Sequence, residues 1–197
     1  TSSASSGTYS LIVNNLATES KLITSGYAET SSAISSGTIT IVIGASASAT
    51  VTIDSSNATV DGLRLAINNL GIDLKASFLN DGDATSPYRL LISGTQTGSS
   101  GAVTMSTNIT SGSVTMGFQT TQTAKNASLS LDGVSITKSS NTVTDVINGA
   151  ALKLQSAGSG TISLATDTEA ITTKVKDFIE EYNKVTLYLN EQLSLNT

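Results

Sequence analysis

The chain has 197 residues with a net charge of −5 and a pI near 4.5, and only 13% of its residues are charged. It contains no Cys, His or Trp, which excludes a disulfide scaffold, thiolate chemistry, and the commonest general base and zinc ligand. The acidic balance argues against a nucleic-acid partner, and no apolar run is long enough to span a bilayer.

The first half of the chain predicts strands around one helix. Alternating apolar residues predict a strand near 9–17 and a hairpin formed by 34–43 with the run around Val51 and Ile53. A helix is predicted near 57–70, capped by Thr59 or Asn57 and closed by Gly71. Further strands are expected after it, with apolar positions at Leu74, Ala76, Phe78, Tyr88, Leu90, Ile92, Val103, Met105, Val114, Met116 and Phe118.

The second half predicts a hairpin, a short helix and a long helix. Asp132-Gly133 is a two-residue hairpin signal between Leu129 and Ile136. A short helix is predicted around 143–147, and two more strands near 152–154 and 162–164, with a turn at 158–160. Thr166 and Glu169 form a capping box that starts the last helix.

That helix carries an apolar seam with heptad-like spacing, which is the candidate packing or oligomer seam. Its residues are Ile171, Val175, Phe178, Tyr182, Val185 and Leu189. A lone helix cannot bury such a stripe, so we expect a missing partner helix and a chain cut from a longer protein. The stripe fits packing within one subunit and contact with a neighbouring subunit, and both can hold together.

Other motifs have simple structural interpretations. Asp81-Gly82-Asp83 lacks the spaced oxygen ligands of a calcium loop, so a turn is favoured. Asn57, Asn108 and Asn126 match the N-glycosylation pattern, as expected by chance in a Ser/Thr-rich chain. The glycines at 94, 98 and 101 lack the context of a phosphate loop and are assigned to turns. No catalytic, cofactor or metal residue is predicted, and the protein is predicted not to be an enzyme.

The stretch from Asn126 to Leu189 carries a rare order of motifs. It begins with Asn126-Ala127, continues through Asp132-Gly133, Ile136, Lys138 and Asn141, then Asp145-Val146-Ile147, Gly149, Leu152 and Leu154, and ends with Phe178 and Tyr182-Asn183. This order resembles the bacterial flagellar filament-capping family, also called hook-associated protein 2. Residues 76–90 also resemble a module of flagellins and hook-associated proteins.

The resemblance implies an α+β, mainly β fold with two small β-rich domains, each with a short helix and one inserted in the other, followed by a long amphipathic helix. A partial echo between 51–57 and 134–141 supports two units built alike. The expected domains are 1–37 plus 119–165, an inserted 38–118, and the start of a helical rod at 166–197.

The resemblance also implies a structural cap at the distal tip of the flagellum, extracellular and secreted through the flagellar export channel. Its expected partners are other copies of the capping protein, flagellin subunits that fold and insert beneath it, and an export chaperone for the full-length chain. No nucleic acid, membrane or cofactor is expected. The alternatives are an extracellular adhesin or a flagellin outer domain without capping activity, and a glycosidase that works with carboxylates alone.

Overall fold

The computed structural model describes residues 6–45, 47–165 and 168–194. The described strands, in chain order, are β1 (Gly7–Asn15), β2 (Glu19–Thr24), β3 (Gly37–Ile43), β4 (Ala47–Ile53), β5 (Leu74–Asn80), β6 (Tyr88–Thr97), β7 (Val103–Thr107), β8 (Thr110–Ser111), β9 (Val114–Thr115), β10 (Phe118–Gln122), β11 (Ala127–Leu131), β12 (Val134–Lys138), β13 (Thr142–Val143), β14 (Leu152–Lys153) and β15 (Gly158–Leu164). The helices are α1 (Val60–Asn68), a short 3₁₀ turn (Ser99–Gly101) and α2 (Thr168–Ser194).

The strands form antiparallel sheets around two separate hydrophobic clusters. One four-stranded sheet has the order β12-β11-β1-β15, and with the β13-β14 pair it lies at the smaller cluster. A second four-stranded sheet, β10-β2-β6-β5, the three-stranded sheet β4-β3-β7 and α1 enclose the larger cluster. We call these the small and the large β unit. The expected mainly β fold with a long C-terminal helix is confirmed.

Helix α1 forms where the sequence predicts it, because the capping residue and the apolar stripe both favour a helix that starts after Thr59. The Thr59 hydroxyl accepts a hydrogen bond from the Gly62 N–H at 3.0 Å, which satisfies a free amide of the first turn. Val60, Leu63 and Ile67 are buried against the strands. The hairpin of β3 and β4 also forms as predicted, with Ile39 fully buried opposite Val51.

Strand β2 was missed by the sequence analysis. Its buried side alternates Ser20, Leu22 and Thr24, so two of the three inward positions are polar and no apolar period is visible. The buried Thr24 hydroxyl accepts a hydrogen bond from the Leu90 N–H at 3.0 Å, so it is not left without a partner. Since β2 pairs with β6 and β10, residues 19–24 belong to the large unit.

The short helix predicted around 143–147 is wrong. Val143 is buried and pairs with Leu152 in a two-strand ladder, and the following residues bend to a turn at Gly149, whose φ is +75°. The Lys138 ammonium lies 2.6 Å from the Asp145 carboxylate and ties the bend to β12. β-Branched residues around this point favour the extended ladder over a helix. The predicted turn at 158–160 is also wrong, because these residues begin β15.

The chain passes between the two units twice, at residue 18 and at residues 123–125. The two passages run side by side, since the Thr18 N–H donates to the Lys125 carbonyl at 2.9 Å and the Lys125 N–H donates back at 3.1 Å. The domain boundaries expected at 37/38 and 118/119 stay a prediction. Strand pairing bears on these boundaries, because β2 lies between β6 and β10 in one sheet of the large unit.

Candidate functional site: the exposed face of helix α2

Helix α2 presents its apolar stripe to solvent. All its side chains from 168 to 193 that the structure describes are exposed, and the six predicted seam residues range from 51% exposure at Val175 to 70% at Phe178. The helix is 27 residues long, or about 40 Å at 1.5 Å per residue. The seam thus lies on one element, as predicted, and its role stays a prediction. The predicted cap residue Thr166 lies outside the described residues.

Two further residues extend the stripe beyond the prediction. Ile179 follows Val175 by four residues, and Leu193 follows Leu189 by four, and both are at least half exposed. At 3.6 residues per turn the eight side chains fall within an arc of about 120°. Checking the position four residues after each seam residue would have found both, whereas continuing the alternation of three and four leads from Leu189 to Gln192. The stripe is therefore wider than a strict coiled-coil seam and suits more than one neighbouring helix.

The remaining face of α2 is mostly polar, with Leu187 and Tyr188 as exposed apolar exceptions. The Lys184 ammonium lies 2.7 Å from the Glu181 carboxylate, and this pairing raises the pKa of the Lys184 side chain. Such an exposed pair contributes little to stability. The hydroxyls of Thr172, Thr173 and Thr186 donate to carbonyls one turn earlier, at 2.8 to 3.0 Å.

The Asp81-Gly82-Asp83 segment is a turn closed by its own hydrogen bonds. The Asp83 carboxylate accepts from the Thr85 and Ser86 N–H groups at 2.9 and 2.8 Å, and these bonds lower the pKa of Asp83. The Asp81 carboxylate accepts a hydrogen bond from the Asp83 N–H, which lowers the pKa of Asp81. Arg89 pairs with the same carboxylate and lowers this pKa further. Across the described residues, no three acidic side chains cluster in a way that could hold a metal ion.

The three asparagines of the glycosylation pattern are engaged in the fold. Their Oδ1 atoms accept backbone N–H groups: Asn57 from Asp54 at 2.8 Å, Asn108 from Thr38 at 2.7 Å, and Asn126 from Ser99 at 2.8 Å. Each side chain thus has a structural role that its sequence pattern did not indicate.

The described cavities include an apolar one beside the β3-β4 hairpin. It has a volume of about 190 Å³ and is lined by Ile41, Ile43, Ser48, Ala49, Ile72 and Asp73. Small-molecule sites usually enclose about 300–1,000 Å³. An open groove along α1, lined in part by Asp61, Gly62 and Asn69, has about 580 Å³ and falls in that range. Neither described helix combines the length and the apolar character needed to cross a membrane. Most of the exposed large apolar side chains among the described residues lie on α2, so its exposed face is the feature that most needs a partner.

Comparison with known proteins places this geometry in a class. A family model described as the C-terminus of flagellar hook-associated protein 2 matches residues 124–197. The B-type flagellar hook-associated protein 2 of Pseudomonas aeruginosa is 31% identical over 98% of this chain and 45% of its own length. The A-type protein of the same species is 31% identical over 94% of this chain and 44% of its length. The chain thus spans about half the length of these relatives.

Solved structures agree with the sequence matches. The crystal structure of FliD (HAP2) from Pseudomonas aeruginosa superposes with a TM-score of 0.80 at 29% identity, covering 98% of this chain and 94% of that one. A three-domain crystal structure of the Escherichia coli cap protein gives 0.77 at 29% identity, covering 92% and 66%. Fold and comparisons together define the class as structural proteins of the bacterial flagellum. Within it, the chain belongs to the flagellar hook-associated protein 2 family.

Proposed function

We propose that this chain is the outer portion of a flagellar filament cap. In this proposal the protein sits at the distal tip of the flagellum and promotes the folding and insertion of exported flagellin subunits. The observation that carries it is the match to the Pseudomonas aeruginosa cap structure along nearly the whole chain. The adhesin and flagellin alternatives are not favoured, since the relatives are hook-associated proteins 2.

The exposed stripe on α2 supports a role in assembly. Burying a large apolar side chain stabilises a complex by roughly 1.5–3 kcal/mol, so eight such residues drive association strongly. Phe178 and Tyr182 offer adjacent aromatic rings for this contact, with centroids 6.4 Å apart. We propose that the stripe packs against a helix of the same subunit, and that its flanks contact neighbouring copies of the capping protein.

The two β units support a nested domain organisation. Each unit has its own buried cluster, and the chain enters and leaves the large unit at one place, near Thr18 and Lys125. We propose that residues 19–122 form an inserted domain, and that 7–17 with 126–164 form the domain that carries it. Helix α2 then begins the rod. These proposed boundaries differ from those expected at 37/38 and 118/119.

The proposed mechanism needs no bond to be made or broken. Binding, steric confinement of exported subunits and stepwise rotation of the cap would suffice, so we propose no enzymatic role and no cofactor. Export through the flagellar channel, with an export chaperone for the full-length protein, belongs to the same proposal. A chain free of Cys in this portion cannot form a disulfide that would block such passage.

Deletion of the gene in the bacterium that encodes it tests the proposal. The expected result is loss of swimming, with hook structures that lack filaments and monomeric flagellin in the medium. A plasmid carrying the full-length gene should restore filaments. Normal filaments on the deletion strain would overturn the capping function, whereas loss of host-cell adhesion with normal filaments would support the adhesin alternative.

A further inference from the structure

A turn of the large unit reaches across to the small unit, away from the two chain passages in sequence. The Ser99 N–H donates to the Asn126 Oδ1 at 2.8 Å, and the Ser99 hydroxyl lies 3.3 Å from the same atom. The Thr97 hydroxyl donates to the Ser139 carbonyl at 2.6 Å. Asn126 precedes β11 and Ser139 follows β12, so both belong to the small unit.

Gly98 at the centre of this turn lies against the small unit too closely for any side chain. Its φ is +89°, and an added Cβ would lie 2.6 Å from the Ser139 Cβ and 2.8 Å from the Asn126 Oδ1. The Gly98 N–H also donates to the Thr18 carbonyl at 3.1 Å. Glycine is needed here for both its backbone conformation and its close approach. The turn is therefore seated in a socket formed by Thr18, Asn126 and Ser139.

The same contacts give a role to a motif that the flagellar function leaves unexplained. Asn126 and Asn141 begin and end the strand motif that carries the family resemblance. Asn141 accepts from the Ala17 N–H at 2.7 Å and donates to the Ala17 carbonyl at 2.9 Å. The backbone carbonyl of Asn126 also accepts a hydrogen bond from the Asn15 side-chain amide at 2.7 Å. Both asparagines thus hold backbone at the junction of the units.

Two adjacent chain passages alone would form a narrow ribbon that can bend and twist. Units joined in this way move relative to each other unless a further contact opposes the motion. The seated turn supplies that contact, because Thr97 and Ser99 bond the small unit on either side of Gly98. We infer that Gly98, Asn126 and Ser139 form an interdomain lock that fixes the orientation of the large unit on the small one. This inference rests on the proposed division into two units and is independent of capping.

Spin labels on the two units test the lock directly. The chain has no Cys, so cysteines introduced at exposed Thr52 in β4 and exposed Ser135 in β12 label one site on each unit. With the lock intact, the distance distribution should be a single narrow peak. Asn126→Ala and Gly98→Ala should each abolish that single peak and give a broad or shifted distribution. Asn126→Asp keeps the acceptor oxygen and should restore the narrow peak.

Matched variants separate the lock from general loss of stability. Asn108→Ala removes a comparable bond, from the Thr38 N–H at 2.7 Å, within the large unit alone. Gly82→Ala places a side chain at a similar φ of +80° where no other atom lies within 4 Å. Both controls should keep the narrow peak.

Amide exchange at Ser99 reports on the lock without labels. Asn126→Ala should speed this exchange about fivefold to tenfold, the factor for losing one ordinary hydrogen bond. The inference is overturned if Asn126→Ala and Gly98→Ala both retain the wild-type distance distribution. It is equally overturned if Asn108→Ala broadens the distribution as much as Asn126→Ala does. Neither outcome bears on the filament-cap proposal, which motility decides separately.

Discussion

Phe178 and Tyr182 lie one helical turn apart on α2, with ring centroids 6.4 Å apart and planes inclined by 32°. Both rings are more than 60% exposed. Paired aromatic rings on an exposed helix face provide a large apolar contact area. We propose that they lie at the centre of the association surface.

Replacing Phe178 and Val185 with Asp should abolish cap assembly while both β units stay folded. Two carboxylates on the stripe would have to be desolvated in any helix–helix contact. The free-energy cost of this desolvation exceeds the stabilisation from the remaining apolar contact. Cells carrying the double variant in the full-length protein should not swim and should release monomeric flagellin into the medium. Swimming assays and immunoblots of the medium measure this.

The matched control places the same charges elsewhere on the same helix. Asn183→Asp with Leu187→Asp changes exposed positions that lie away from the stripe at 3.6 residues per turn. This variant should assemble filaments at the wild-type level. Full motility of the Phe178 and Val185 double variant would show that the stripe is not the assembly surface.

Core truncations should reveal two units that unfold separately. Leu63 and Leu129 are each fully buried, Leu63 in the larger cluster and Leu129 in the smaller. Leu→Ala at such sites costs about 2–5 kcal/mol. We expect Leu63→Ala to lower one thermal transition and Leu129→Ala to lower another, in calorimetry of the chain. A single transition that both variants shift equally would contradict the proposed division into domains.

Tyr27 should make the large unit sensitive to alkaline pH. Burial raises the pKa of its hydroxyl above the ordinary value of about 10. Below the pKa that Tyr27 has in the unfolded chain, its hydroxyl is neutral in both states and does not change the free energy of unfolding with pH. As the pH rises from that value towards the higher folded pKa, the unfolded chain ionises first and stability falls. Tyr27→Phe should therefore lose less stability between neutral and alkaline pH than the wild type, in urea unfolding at both pH values.

The control for this alkaline effect is Tyr182→Phe, since Tyr182 is exposed on α2. It should leave the alkaline dependence of stability unchanged. An identical alkaline loss in wild type and Tyr27→Phe would mean that another group governs the effect.

Calcium should not bind the turn at Asp81 and Asp83. Arg89 already pairs with the Asp81 carboxylate, and backbone amides already occupy the Asp83 carboxylate. A calcium ion would have to displace these partners without the six to eight oxygen ligands that it prefers. Calorimetric titration of calcium into the dialysed chain should give no saturable heat, and a stoichiometric signal that Asp83→Asn removes would contradict this.

The sequence alone determined the elements whose signals are local. Helix α1 followed from its Thr59 cap and its buried stripe, and the β11-β12 hairpin followed from Asp132-Gly133, whose φ values are +48° and +84°. The seam on α2 followed from its periodicity. These features depend on neighbours within a few residues, so the printed sequence contains their causes.

The tertiary structure decided what depends on distant partners. β2 is a strand because β6 and β10 pair with it and because Leu90 satisfies buried Thr24, and no local apolar period shows this. Val143 joins a ladder with Leu152 instead of starting a helix. Gly98 and Ser139 approach each other closely although they are forty-one positions apart, and we propose that this approach fixes the domain junction. Backbone pairing and close approach between remote segments are properties of the folded arrangement, which local periodicity does not encode.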